Sequence, residues 1–149
     1  QLLRAWPGAC AQHDPDGCLP LHFAVQSFAS RSVLRALLNA HPAAIKAACG
    51  DDDLLPLHVA LEHQAPEDMV LQLLRAWPGA CAQHDPDGCL PLHFAVQSFA
   101  SRSVLRALLN AHPAAIKAAC GDDDLLPLHV ALEHQAPEDM VLQLLRAWP

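Results

Sequence analysis

Apolar residues in this chain recur at helical spacing in short blocks punctuated by proline. Leu21, Ala24, Val25 and Phe28 fall at i, i+3, i+4 and i+7, one face of a helix opened by Pro20. Proline suits that first position because an initial helical amide has no partner to lose. A break follows around Ala29-Ser30. A second helix carries Val33, Leu34, Leu37 and Leu38 on its buried side, and Pro42 stops it. The pattern then returns in altered form. Pro56 opens a helix with Leu57, Ala60 and Leu61 inward. Pro66 opens the next, with Glu67 and Asp68 in the first turn, where carboxylates favour the positive helix end. Met69, Val70, Leu73, Leu74 and Trp77 form its apolar stripe, and Pro78 ends it.

The alternation of two helix pairs is part of a larger repetition. Residues 1–71 recur without a single change as 72–142, and 143–149 begin a third copy. Within each unit Leu-Pro-Leu-His appears twice, at 19–22, 55–58, 90–93 and 126–129 over the whole chain. Its histidines, His22, His58, His93 and His129, are spaced 36, 35 and 36 residues apart, so the structural repeat is about 35 residues in two alternating versions. Helices of about two to three turns are marginal alone in water. They persist where neighbours stack and share a continuous core. The expected organisation is therefore one all-α domain over 1–149, a helical-repeat solenoid of stacked helix-turn-helix units. Its four repeats centre on 19–39, 55–77, 90–110 and 126–148, with 1–7 a leftover half-repeat.

Composition narrows the functional classes. An apolar fraction of 52% supports a real core, and with few aromatics and no Tyr the packing falls to Leu, Ala and Val. Acidic residues outnumber basic ones 16 to 9, which argues against a duplex nucleic-acid binder. No apolar stretch approaches a membrane span. The opening Gln1-Leu2-Leu3-Arg4 has no signal-peptide layout and reads as a cut through something longer. Each unit has three cysteines: Cys10, Cys18 and Cys49, then Cys81, Cys89 and Cys120. An odd count per unit is unlike a secreted disulfide framework, so reduced thiols and a cytoplasmic setting are expected.

Leu19-Pro20-Leu21-His22-Phe23-Ala24 resembles the Thr-Pro-Leu-His-x-Ala signature of ankyrin repeats. Asp14-Pro15-Asp16-Gly17 matches that family's Asp-x-x-Gly turn, and Val33-Leu34-Arg35-Ala36-Leu37-Leu38 is similar to its second helix. The resemblance recurs four times and covers nearly the whole chain. There are departures. Leu stands for the signature Thr at 19, 55, 90 and 126, and Asp53 stands where the first version has Gly17. The link between helices is one residue longer than usual, and the loops have room for an extra helical turn over 42–48. A tetratricopeptide or HEAT-like helix pair is the alternative arrangement. The resemblance implies that the signature histidines bond backbone and tie neighbouring repeats together.

Other chemistry is sparse. Cys10, His13 and Cys18, with Asp14 or Asp16, have zinc-compatible side chains, but their spacing fits no strong zinc pattern. The acidic loops, Asp14, Asp16 and 51–53 with their copies Asp85, Asp87 and 122–124, lack EF-hand spacing. They are expected to line up as a negative edge whose carboxylates cap helix starts. Ser27, Ser30 and Ser32 have no Gly-x-Ser-x-Gly context, and no phosphate-cradling loop appears. Neither a catalytic site, a metal nor a cofactor is expected.

The resemblance implies protein binding through loop tips and the exposed side of each first helix. By position the contact residues are Pro15, Asp16, Cys18, Gln26 and Ser27 in the first version, and Asp51, Asp52, Leu54, Glu62 and His63 in the second. Their duplicates are Pro86, Asp87, Cys89, Gln97, Ser98, Asp122, Asp123, Leu125, Glu133 and His134. The expected function is a non-catalytic interaction scaffold for a protein of basic character. The alternative is a structural or designed array, since unvaried copies imply recent duplication or deliberate construction. Such an array would bind other copies of itself end to end and grow into a filament.

Overall fold

The computed structural model describes residues 7–149, so the expected half-repeat at 1–7 lies outside the described residues except for Pro7. The described residues are all-helical, with eight α-helices and no strand beyond one isolated bridge, Cys49 with Leu54. The helices come in pairs: α1 (Pro20–Gln26) with α2 (Arg31–Ala40), α3 (Pro56–Glu62) with α4 (Glu67–Ala76), α5 (Pro91–Gln97) with α6 (Arg102–Ala111), and α7 (Pro127–Glu133) with α8 (Glu138–Ala147). The odd-numbered helices touch in sequence, α1 on α3, α3 on α5, α5 on α7. The even-numbered helices make a second row in the same order. One core cluster runs between the rows, from Cys10 and Leu19 to Met140 and Leu144.

Local sequence explains the element ends. The odd helices each begin with proline at their first position. Among the even helices, Ser30 and Ser101 cap α2 and α6, each hydroxyl accepting from the amide three residues on. Glu67 and Asp68, then Glu138 and Asp139, supply the first-turn acids of α4 and α8. After α2, α4 and α6 the chain forms a 3-10 turn that starts at the stopping proline: Pro42–Lys46, Pro78–Ala82 and Pro113–Lys117. These fill the room expected for an extra turn over 42–48. Lys46 lies over the Trp77 ring at 5.6 Å, joining one such turn to the end of α4.

The break of the first pair spans 27–30 and includes the expected Ala29-Ser30, but the helix before it ends at Gln26, two residues short of Phe28. Phe28, Gln64, Phe99 and Gln135 adopt left-handed backbone, with φ of 53°, 55°, 55° and 55°. The amide of Ala29 then reaches Ala24 O at 2.8 Å and that of Phe28 reaches Val25 O at 3.1 Å, which is a Schellman closure. This corrects the reading of Phe28 as a core residue, because the left-handed turn swings its ring outward and leaves it exposed. Val33, also expected inside, is exposed as well. Of the rest of the stripes, Leu21, Ala24, Val25, Leu34, Leu37, Leu57, Ala60, Leu61, Met69, Val70, Leu73 and Leu74 are buried, while Leu38 and Trp77 are half-buried against the core.

A side chain other than glycine in left-handed backbone costs about 1 kcal/mol. Gln64 is exposed at such a position. The substitution Gln64→Gly is therefore expected to raise the unfolding free energy by about 0.5–1 kcal/mol, and Gln64→Val to lower it, as read by urea denaturation.

Candidate functional site

The residues singled out by position lie on the loops that precede the odd helices and on the outer sides of those helices. In the first loop Asp14 organises the turn. Its Oδ1 accepts from the amides of Asp16 at 3.0 Å and Cys18 at 2.7 Å, while Gly17 N reaches Asp14 O at 3.1 Å. In the second loop Cys49 and Leu54 exchange both backbone bonds, each 3.0 Å, around a turn in which Gly50 and Asp53 both have positive φ. Asp53 thus takes the left-handed shape that Gly17 takes in the other version, which Asp tolerates better than most residues.

The expectation that loop carboxylates cap the helix starts is not met. Asp14 and Asp85 bond turn amides instead. The residue before each odd helix is a leucine with no side-chain acceptor, and its amide is met by the signature histidine three residues on. Leu19 N donates to His22 Nδ1 at 3.1 Å, and Leu55, Leu90 and Leu126 do the same to His58, His93 and His129. His22 Nε2–H then donates to Ala47 O at 2.9 Å, and His93 Nε2–H to Ala118 O at 3.0 Å. Each of these two imidazoles ties its helix start to the following loop. Burial pushes the pKa values of His22, His58 and His93 down, only partly offset by backbone bonds for His22 and His93 and by the Asp85 carboxylate and the Gln83 backbone for His58. His58 is fully buried with its Nε2 unpartnered, and its ring lies 5.1 Å from that of Phe94.

The cysteines overturn the reduced-thiol reading. Cys18 is disulfide-bonded to Cys49 and Cys89 to Cys120, with Cα atoms 4.6 and 4.5 Å apart. Cys10 and Cys81 are free and buried, and burial pushes the Cys81 thiol up to about 11. The odd count per unit misled because one cysteine of each three belongs to the core. The pairing withdraws the basis for the cytoplasmic expectation. No helix among the described residues is long and apolar enough to cross a membrane. The pairing also removes Cys18 as a zinc ligand, and no three His, Cys, Asp or Glu gather at a metal-holding distance among the described residues.

The first two loops and α1 and α3 enclose a groove. Cys18, Gln26, Asp52, Leu54, Glu62 and His63 line it, six of the ten positions anticipated in the first unit. Gln26 Nε2 donates to His63 Nε2 at 3.2 Å, and His63 Nδ1–H donates to Val59 O at 3.1 Å, one consistent tautomer that bridges the two helices. Leu54 is buried, so it forms floor more than contact surface. Pro15, Asp16, Ser27 and Asp51 are exposed but stand outside the groove. In the second unit Pro86, Asp87, Gln97, Asp122, Asp123, Glu133 and His134 are exposed, while Cys89, Ser98 and Leu125 are half-buried. Ser98 borders a different cavity, between the α3–α4 and α5–α6 links.

Sequence reasoning missed Phe23, an exposed aromatic in the wall of the groove. A signal was available. Phe23 sits off the stripe that Leu21, Ala24 and Val25 define, so its ring had to point away from the core. Cys49, Gly50 and Val59 were missed as well. No protein-family model and no curated protein matches this sequence.

Two outcomes follow from these ties. Each disulfide closes a loop across 31 positions, so Cys18→Ala with Cys49→Ala should cost about 3–4 kcal/mol in denaturant unfolding, and reduction of both disulfides more. The three buried imidazoles have folded pKa values below their unfolded ones, so the unfolded chain takes up their protons first as pH falls. Stability from them is complete above the ordinary imidazole pKa and declines as pH drops through it toward the lower folded values. Urea midpoints measured between about pH 8 and 5 should fall accordingly, and a level profile would contradict buried neutral histidines.

Proposed function

We propose that this chain is a non-catalytic protein-interaction scaffold, an ankyrin-like solenoid that binds through its loops and the outer sides of its odd helices. The observation that carries this reading is the groove between the first two loops, α1 and α3. It places the exposed ring of Phe23 beside the carboxylates of Asp52 and Glu62 on a base held by a disulfide and by the Gln26–His63 bond. A rigid floor of this kind favours binding because little order is lost when a partner seats. The two rows of touching helices and the four Leu-Pro-Leu-His starts support the solenoid reading. Nothing in the groove is poised for nucleophilic chemistry. Cys18 and Cys49 are oxidised, and both ring nitrogens of His22 are engaged with backbone.

The chemistry selects a partner segment with an apolar side chain for Phe23 and flanking Lys or Arg for the acids. Asp51 and Asp53 extend the negative rim beyond the groove. Rim charges act mainly on encounter rate and salt dependence. Peptides that alternate Lys with Leu should therefore bind, more tightly at low salt, while Glu-Leu peptides should not. Charge reversal of Asp51, Asp52 and Asp53 to Lys should weaken the Lys-Leu peptide by about tenfold or more without altering the far-ultraviolet circular dichroism. Equal binding of both peptides, or an unaffected triple variant, rejects the acidic docking groove.

A further inference from the structure

Two of the three junctions between helix pairs carry a cross-link, and the middle one does not. Cys18–Cys49 joins the loop before α1 to the loop before α3, and Cys89–Cys120 joins the loop before α5 to the loop before α7. At the middle junction the matching positions hold Leu54 and His84. A second tie follows the first. Gly50 N donates to Asp16 O at 3.2 Å and Gly121 N to Asp87 O at 2.9 Å, while no backbone bond joins the two loops of the middle junction. The helices pack at all three junctions regardless, α1 on α3, α3 on α5 and α5 on α7. Helix packing of this kind therefore forms without a cross-link, whereas the loop-to-loop bond occurs only where a cross-link is made.

Charge opposes the closed loops. One linked pair sets Asp14 and Asp16 beside residues 51–53, and the other sets Asp85 and Asp87 beside residues 122–124, all aspartates. No Lys or Arg lies within 12–18, 47–54, 83–89 or 118–125. The linked Cα atoms are 4.6 and 4.5 Å apart, inside the roughly 8 Å Debye length of physiological salt, so the charges of facing loops are only partly screened. Each loop also has bonds of its own. Cys18 N donates to Asp14 Oδ1 in one and Leu54 N to Cys49 O in the next, so each can move as a unit. All four linked cysteines are half-buried, and Cys18 and Cys49 line the groove, within reach of a small thiol.

We infer that the two disulfides are reversible thiol–disulfide exchange sites, at which a dithiol reductant releases the facing loops while the helix pairs stay packed. A thiolate of the dithiol bonds one protein sulfur. The protein S–S bond breaks, and its electron pair leaves on the other sulfur, which takes a proton. The second thiol of the reductant then displaces the first protein sulfur. The dithiol ends as its own disulfide, and each bridge ends as two cysteine thiols. Exchange with a small disulfide runs the reaction back and closes the loops. Cys10 and Cys81, buried in the core, stay thiols throughout. A released junction matches the middle one, packed but with separate loops, and the repulsion between carboxylates drives the separation. The first pair of loops forms the base of the groove, so reduction lowers its hold on a basic peptide. That last step rests on the proposed scaffold reading, and the loop release does not.

Amide hydrogen exchange on the whole chain, with and without dithiothreitol, is the test. The Gly50 and Gly121 amides should exchange at least about tenfold faster in the reduced protein, while amides inside α3 and α5 keep their protection. Oxidised glutathione should restore the slow exchange. Sodium chloride at about 1 M, where the Debye length is about 3 Å, should narrow the difference by weakening the repulsion. Cys18→Ser with Cys49→Ser keeps the second bridge, so Gly50 should exchange fast with or without reductant while Gly121 still responds to it. Exchange at Gly50 and Gly121 that ignores reduction overturns the proposal. So does loss of protection throughout α3 and α5, which would make the bridges supports of the whole fold. Affinity for the Lys-Leu peptide should fall about tenfold on reduction and recover on oxidation. Released loops with unaltered affinity overturn the control of binding. A peptide that fails to bind even the oxidised chain counts against the scaffold reading alone, because loop release is read without it.

Discussion

Apolar surface shared between successive helix pairs is the constraint on which the rest depends. Each α-helix here is 7 or 10 residues long, too short to persist by its own backbone bonds. What keeps α3 and α4 folded is the apolar side that α1–α2 and α5–α6 lend them. The exposure of Leu61 against Leu132 is a direct comparison, since both residues sit in the same local sequence. Burial is set by the neighbour and not by the helix. A side chain of that size gains about 2 kcal/mol on full burial, so a few such residues account for much of the hold between pairs.

The polar ties are laid over this packing unevenly. Between α1–α2 and α3–α4 there is a disulfide, a backbone bond from Gly50 to Asp16 O, and the His22 bond to Ala47 O. Between α5–α6 and α7–α8 all three return, through Cys89–Cys120, Gly121 to Asp87 O, and His93 to Ala118 O. At the middle junction the positions matching the cysteines hold Leu54 and His84. There His58 Nε2 has no partner and stands against Phe94 instead. The middle junction thus has neither a disulfide nor a loop-to-loop backbone bond, and packing carries more of the hold there.

Much of the fold was legible because its signals are local. The proline starts, the apolar stripes and the stopping prolines define eight helices within a residue or two. The turn after α2 was visible as room in the spacing. What escaped depends on more distant information. Phe28 fits an i+7 stripe, yet the helix closes beneath it with a Schellman turn that no glycine announces. Val33 lies on the correct stripe of a helix that has no preceding pair among the described residues to cover it. Cysteine parity is no guide where the three thiols are not equivalent, since Cys10 belongs to the core and Cys18 and Cys49 to facing loops. At the groove, six residues were placed by position in the repeat, whereas Phe23 required asking which large side chain had been left off its helix stripe.

Charge follows the same two-row division. Asp14, Asp16 and residues 51–53, with their copies, put ten carboxylates on the loops. Arg31 and Arg35 lie on α2, Arg75 on α4, Arg102 and Arg106 on α6, and Arg146 on α8. The loop edge is therefore negative, and the even helices carry the arginines together with Glu67, Asp68, Glu138 and Asp139; the single close charge contact among the described residues, His63 with Glu62 at 3.7 Å, joins neither the loop acids nor the arginines. Unpaired surface charge contributes little to stability at this separation and acts instead on what approaches. On the proposed scaffold reading, packing holds the molecule together and the loop acids are the groups that would attract a basic partner. For that reason a partner would be selected at the edge where Phe23 and Asp52 meet, and not along the arginine-bearing back.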